Sequence, residues 1–448
     1  IDQGKYRFDS HLRRSIDTQT SPTSFSTELQ FAVKDSHWSD NLAQCNGCGG
    51  CRKTTGTMCP TFQATGEEVM STRGRANPIR SWTQTTDKDS ASNVILQEAL
   101  KHCLSCKACK TECPSNVDIA LIKAELQHAI RKHSGVSMAQ WLFGHVDQMA
   151  ELGSLFPHWS NRIQSWAPLR RWIEKPLNIS PKRPLPNFTE QRFDHWFDQR
   201  HSPEGSNRKL VYLWDDTFVR HYDPPIGRAA VRVLERLGYE VRLLRQRKCC
   251  GRPSFSQGDL DRARRLGVMN IELILRHPVA PVLFLEPSCY SMFREDYREL
   301  NVPEAEKISD RCFLFEQFLA DQATSHPEWQ DLFLPIDKPL NIHAHCHAKA
   351  LCDVSFMSQF AETIWPENGA QVLPTGCCGM AGAFGATQSE YDLSIKVGQN
   401  MVGVLDGMDD PSHLIASGTS CRDQIEHLTM RKPQHFAEIL ADSLIAHS

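Results

Sequence analysis

Cys103, Cys106, Cys109 and Cys113 lie in the run CLSCKACKTECP. In this C-x2-C-x2-C-x3-C-P spacing three thiols reach three corners of one iron-sulfur cubane, while the proline carries the fourth away. CNGCGGCRKTTGTMCP, residues 45–60, repeats the first three spacings and the C-P ending with Cys45, Cys48, Cys51 and Cys59, but has seven residues before the last thiol instead of three. The bacterial pattern sends the fourth cysteine of each run to the other cluster. On that pattern Cys45, Cys48 and Cys51 share a [4Fe-4S] centre with Cys113, and Cys103, Cys106 and Cys109 share one with Cys59. Two alternatives stay open: a pair of tetrahedral zinc sites, or one intact cluster beside a site degraded by the insertion. Iron-sulfur is the expectation, because zinc does not require three close cysteines and a proline-marked fourth twice over. Such centres move single electrons. Between the runs, STRGRANPIR carries Arg73, Arg75 and Arg80, whose charge could raise a cluster's potential or anchor a neighbouring domain; a solvated basic loop is the alternative.

A second set of cysteines is paired and repeated. KCCGRPSFSQG with Cys249 and Cys250 corresponds to GCCGMAGAFGA with Cys377 and Cys378, and FLEPSC ending at Cys289 corresponds to IASGTSC ending at Cys421. Adjacent cysteines bond each other only with strain, but both can face a metal from a tight turn. In the second repeat Cys346, Cys377, Cys378 and Cys421 can converge, with His345 between His343 and His347 in HAHCH, so zinc or iron is expected there. The first repeat has Asp215 or Asp216 where the second has Cys346, so its site is expected to be reduced. The alternative is that these are small buried residues at packed turns. Cys312 and Cys352 stand alone and are expected in the core.

The elements that must position these groups change in character along the chain. Residues 1–40 are polar and read as a connecting arm. Residues 41–175 read as a helical unit: SNVILQEALKHC is one helix, and DIALIKAELQHAIRKHSG a stronger one, with Ile119, Ile122, Leu126 and Ile130 on one face and Gly135 at its end. Trp141, Trp159, Trp166 and Trp172 follow, and buried packing is expected for them over a membrane-interface helix. Pro176, Pro181, Pro184 and Pro186 mark a linker over 176–208. Thereafter strands and helices alternate. KLVYLWD, APVLFLE, PLNIHAHCH and HLIASG read as strands between helices, giving an α/β class with mainly parallel sheets and two repeats, 209–330 and 331–448.

Composition narrows the function. A formal net charge of -3 over 448 residues leaves no basic field for nucleic acid. No apolar run approaches the ~20 residues of a membrane span, and no leader is recognisable. A cytoplasmic protein is expected, with peripheral attachment to the inner face of the membrane compatible, as is a homo-oligomer. Seventeen cysteines in such a compartment argue for metal rather than disulfides. No Gly-rich nucleotide fingerprint follows a strand.

Together, the paired ferredoxin-type runs, KCCG, EPSC, HAHCH, GCCG and GTSC resemble the iron-sulfur subunit of glycolate oxidase and the cysteine-rich CCG domains of heterodisulfide reductase. LWDDTFVRHYDPP, the arm and the lengthened CRKTTGTMCP look like the iron-sulfur half of the bacterial FAD-linked D-2-hydroxyglutarate dehydrogenases. The resemblance implies a helical ferredoxin-type domain, a duplicated CCG α/β domain, and electron transfer from FAD on a flavin domain outside this chain, in a partner or an upstream segment before Ile1, to an acceptor such as quinone. By the same resemblance this chain is part of a D-2-hydroxyacid dehydrogenase and itself transfers electrons. SGTSCRDQ lacks the further C-x2-C cysteine of heterodisulfide reductase, which argues for a mononuclear metal, or none, at the second repeat.

Overall fold

The computed structural model describes residues 27–32, 35–84, 90–166, 176–201, 208–408 and 413–445, together with positions 168, 170 and 174. From Trp38 to Ser165 the described elements are helices. Asp118 starts the helix Ile119–Ser134 by accepting a hydrogen bond from Leu121 N, and Gly135 at φ +76° ends it. Its buried face carries Ile119, Ile122 and Leu126, the stripe expected from the sequence. STRGRANPIR is no solvated loop: most of it lies in the helix Thr72–Gln84. Arg75 is buried and donates to the carbonyls of Met70, Ala99 and His102 and to Thr61 Oγ1. Gly74 is obligatory, because a Cβ there would sit 1.7 Å from Glu68 O.

Two parallel sheets follow. In the first, β1 (Lys209–Trp214), β2 (Tyr239–Leu243), β3 (Val282–Phe284) and β4 (Cys312–Leu314) lie in the order β2-β1-β3-β4. In the second, β5 (Leu340–Ile342), β6 (Ala370–Val372) and β7 (His413–Ile415) lie in the order β6-β5-β7, and a parallel bridge from Ile415 to Gln434 adds a fourth position beside β7. Both sheets therefore reverse strand order beside their first strand. In open parallel sheets such reversals leave a crevice at the carboxyl ends of the strands. Trp214, Phe284, Phe293 and Tyr297 fill the core beneath the first sheet, with ring centroids 4.7–5.8 Å apart along the cluster. Burying a side chain of this size contributes about 1.5–3 kcal/mol.

Three sequence expectations change. PLNIHAHCH is a strand only to Ile342; His343–His345 leave it, and Cys346 begins the helix Cys346–Leu351. The proline-marked stretch is packed: Ser180 N donates to Ala386 O, and buried Arg183 donates to Gly385 O and Gln424 Oε1. The tryptophans are not core. Trp141, Trp159 and Trp166 are 41, 67 and 60 % exposed, and Trp172 lies outside the described residues. Leu152, Leu155, Phe156, Trp159 and Ile163, at helical spacing, are exposed with them.

Candidate metal centres

The lengthened run folds as a loop bent back at Gly47 and Gly49 (φ +75° and +74°) and at Cys59 (φ +55°), before Pro60 opens the helix Pro60–Thr65. Backbone N–H groups turn toward sulfur: Gly50 N is 3.5 Å from Cys48 Sγ, Arg73 N 3.3 Å from Cys51 Sγ, and Thr72 N 3.1 Å from Cys59 Sγ. Such donors stabilise thiolates. One pocket is lined by Cys45, Cys48, Cys51 and Cys113, with Thr72 and Arg73. The regular run folds in the same manner, with Ser105 and Lys107 at φ +52° and +63°. Cys59, Cys103, Cys106 and Cys109 are electrostatic neighbours of one another. The structure thus brings Cys45, Cys48, Cys51 and Cys113 to one pocket and Cys59 beside Cys103, Cys106 and Cys109, so the four added residues still carry Cys59 to the other run. Cys59 also feels Cys51, so the sets adjoin. Burial pushes the Cys59 thiol up to about 11 and those of Cys106 and Cys109 well above the usual range; loading iron here must expel those protons. Arg75 opposes the rise at Cys59, and buried Lys123 donates to Cys103 O.

At the carboxyl ends of the second sheet, Cys346 lies beside Cys377, and Cys378 beside both Cys377 and Cys421. The four thiols form a row. Hydrogen bonds from their neighbours hold the Cys346 and Cys378 thiols well below the ordinary range, while Cys377 and Cys421 are raised as the donors. Partial thiolate character of this kind suits a metal ligand. His345 stands 3.9 Å from Cys346 Sγ, and its Nδ1 accepts from His347 N at 3.0 Å, capping the helix. Buried His343 bonds Thr375 Oγ1 at 2.7 Å, and burial lowers it to about 4, so it is neutral.

The first sheet carries the same turn: Cys249 and Cys250 precede Gly251 (φ +82°) as Cys377 and Cys378 precede Gly379 (φ +87°). Cys289 and Cys421 each sit third in the helices Pro287–Ser291 and Thr419–Thr429, and Cys289 Sγ lies 3.0 Å from Cys250 Sγ. The cap register corrects one expectation. Asp216 caps the helix Thr217–His221 as His345 caps Cys346–Leu351, so Thr217, not Asp215 or Asp216, occupies the position of Cys346. Asp215 instead binds Arg220 and Arg247. The first site therefore lacks a fourth thiol. Cys312 is buried and Cys352 half-buried, each donating to a helix carbonyl four residues earlier.

The two centres meet. Cys106 is an electrostatic neighbour of Cys346, His347 Nε2 lies 3.2 Å from Ser105 O and 3.4 Å from Arg252 Nη2, and Lys107 reaches Glu295 and Asp296. None of these partners was visible in the sequence, where Lys107 and Asp296 stand far apart. Their only local sign is a π-helical turn at Met292–Asp296, an irregularity frequent at functional sites.

Residues 41–117 match the 4Fe-4S dicluster domain and residues 216–294 the cysteine-rich domain, the two kinds of domain that the cysteine runs suggested. Among particular relatives, the chain is similar to one subunit of the anaerobic glycerol-3-phosphate dehydrogenase of Escherichia coli K12, 27 % identical over 80 % of this chain and 89 % of that one. It is also similar to D-2-hydroxyglutarate dehydrogenase of Pseudomonas putida, 23 % identical over 92 % of this chain and 44 % of that one, and to the probable glycolate oxidase iron-sulfur subunit of Bacillus subtilis, 23 % identical over 82 % and 85 %. The chain thus spans less than half of the D-2-hydroxyglutarate dehydrogenase. No solved structure matches the chain. No described helix is long and apolar enough to cross a membrane.

Proposed function

We propose that this chain is the electron-transfer unit of a flavin-linked 2-hydroxyacid dehydrogenase. The observation that carries the reading is the pair of crossed cysteine sets, one of which adjoins Cys346. Cys45, Cys48, Cys51 and Cys113 would hold one [4Fe-4S] group and Cys59, Cys103, Cys106 and Cys109 the other; these groups supply one-electron exchange between a flavin and an acceptor. The chain's own part is to space the sets, place Arg75 and Lys123 beside the second, and hold that set against the thiol row of the second sheet. Three close cysteines and a proline-marked fourth, twice over, together with the match to a 4Fe-4S dicluster domain, support iron-sulfur over zinc.

Finer assignments rest on the relatives. D-2-hydroxyglutarate is the substrate we assign to the assembly, with FAD on a flavin domain outside this chain and quinone as the acceptor; glycolate and glycerol 3-phosphate are the competing substrates that the relatives' names supply. We read the two sheet units as a duplicated CCG domain, supported by their shared strand order and matching cysteine positions. Cys346, Cys377, Cys378 and Cys421, with His345 beside them, would bind iron or zinc. The exposed face at Trp159 and Trp166, built of the aromatic residues that favour headgroup regions, supports peripheral attachment to a membrane.

Iron and sulfide analysis with EPR of the anaerobically reconstituted, dithionite-reduced chain tests the core of this reading. Two cubane signals are expected, Cys113→Ser removing or altering one and Cys59→Ser the other. Absence of iron, or identical loss in both variants, would refute the crossed assignment. Reduced vesicle co-sedimentation of Trp159→Ser/Trp166→Ser is the expected outcome for the membrane face, and unchanged sedimentation removes it.

A further inference from the structure

Away from the cysteines, one histidine is buried with a ring nitrogen unused. His128, on the helix Ile119–Ser134, is 3 % exposed. Its Nδ1 lies 2.9 Å from Gly258 O, a carbonyl that can only accept, so Nδ1 carries the proton. Nε2 has no hydrogen-bond partner. What faces it is two carboxylates, Glu28 Oε1 at 3.9 Å and Asp261 Oδ2 at 4.0 Å. These three atoms lie mutually within 4.8 Å. Two carboxylates converging on an unpartnered imidazole nitrogen make a place for a cation.

The surroundings are built for such a geometry. Gly258 holds φ +72°, and a Cβ there would come 2.9 Å from the Gln127 backbone, so the carbonyl approaches the imidazole only because the residue is glycine. A carbonyl accepting from the distal nitrogen is the usual means by which a metal-binding histidine is oriented. Glu28 is fixed through its backbone: Glu28 N and Leu29 N donate to the Glu125 carboxylate at 3.0 and 2.8 Å. Asp261 lies in the first turn of the helix Leu260–Leu275. Metal–ligand distances of about 2.0–2.2 Å put neighbouring donors about 3.0–3.4 Å apart, so the two carboxylate oxygens need to move toward His128 Nε2 by about 1 Å or less from 3.9 and 4.0 Å. Glu28 and Asp261 are part-exposed, at 29 and 47 % of their side chains, which leaves open positions for water.

We propose that Glu28, His128 and Asp261 form a divalent transition-metal site that ties the segment at residues 27–32 and the iron-sulfur helical unit to the first sheet unit. One imidazole and two carboxylates suit Mn²⁺, Fe²⁺ or Zn²⁺. Lys132 stands in for the ion, its Nζ 2.8 Å from Glu28 Oε1 and 3.8 Å from Asp261 Oδ2, and a metal must displace it.

Mn²⁺ is the probe, because it avoids thiols. With the anaerobically reconstituted chain, loss of the six-line EPR signal of free Mn²⁺ should report one site. His128→Ala should abolish it, Cys378→Ser should leave it unchanged, and Lys132→Met should tighten it about tenfold by removing a competing charge. Mn²⁺ should also raise the melting temperature of the parent and of Lys132→Met but not of His128→Ala. If neither the parent nor Lys132→Met takes up Mn²⁺, or if His128→Ala binds as well as the parent, the group is an ion-pair cluster and the proposal is overturned.

Discussion

Lys107 gives the sharpest test of how the iron-sulfur helical unit is held to the sheets. It lies inside the regular cysteine run at φ +63° and is 4 % exposed. Its ammonium is 2.6 Å from Glu295 Oε2 and 2.7 Å from Asp296 Oδ1. Asp296 is fully buried and also meets Arg252 Nη1 at 3.0 Å and Ser291 Oγ at 3.3 Å. Burial alone would raise its carboxyl, but Lys107 and then Arg252 hold it below the ordinary carboxylate range. Lys107→Met keeps the stem and leaves Asp296 with Arg252 as its one remaining cation. Removing one partner of a buried pair costs about 3–5 kcal/mol, a large share of the ~5–15 kcal/mol that stabilises a typical domain. Asp296→Asn should be costly for the same reason. The double variant, which removes both members of the Lys107–Asp296 pair, should recover at least about 2 kcal/mol of the summed loss. Anaerobic urea unfolding measures all three, and EPR of the reduced chain should show the second centre altered in Lys107→Met, because Lys107 lies between Cys106 and Cys109. A loss below about 1 kcal/mol, or strict additivity in the double variant, would refute the view that this pair docks the two units.

Glu316 predicts a pH effect. It is fully buried, Oε1 accepts from Ser417 Oγ, Oε2 has no partner, and burial pushes its carboxyl from 4.5 up to about 7. Folding therefore favours the protonated form: the contribution to stability is complete below pH 4.5 and is lost as pH rises to about 7, a change of about 3 kcal/mol. Glu316→Gln should match the parent near pH 4.5 and exceed it by up to that amount at pH 8 in urea unfolding, and a gap independent of pH would exclude the assignment. Gly379→Ala should damage the second thiol row far more than Gly251→Ala damages the first. Both residues sit at φ above +80°, but a Cβ meets Ser394 O at 2.4 Å at the former and Ala263 Cα only at 3.2 Å at the latter. Iron content and melting temperature compare the two, and equal losses would refute the distinction.

The sequence made local features legible and missed those that need a partner. The apolar face of Ile119, Ile122 and Leu126 and the Gly135 that ends their helix are signals within a few residues, and each appears where expected. HAHCH misled because apolar alternation cannot tell the end of a strand from the first turn of a helix; the cap made by His345 decides it. Thr217 was hidden for the same reason, since only the two caps align it with Cys346. Lys107, Glu295 and Asp296 are ordinary surface residue types whose burial follows from docking. At the tryptophans, helical spacing reveals that an apolar face exists but not whether anything covers it.

Glu286 has a consequence for how far the sheet units can be treated as separate parts. Its carboxylate accepts from Ser288 N at the start of its own helix and from Thr419 N at the start of the corresponding helix of the other unit. That second helix has Gly418 at its cap position, and no side chain could stand there, because a Cβ would fall 2.4 Å from His345 Cδ2. The histidine beside the thiol row thus excludes a local cap, and the neighbouring unit supplies it. Excised alone, the second unit would keep all four of its thiols yet lose the acceptor that begins the helix bearing Cys421. The arrangement is no longer modular: one carboxylate serves both halves, and neither half can be exchanged without the other.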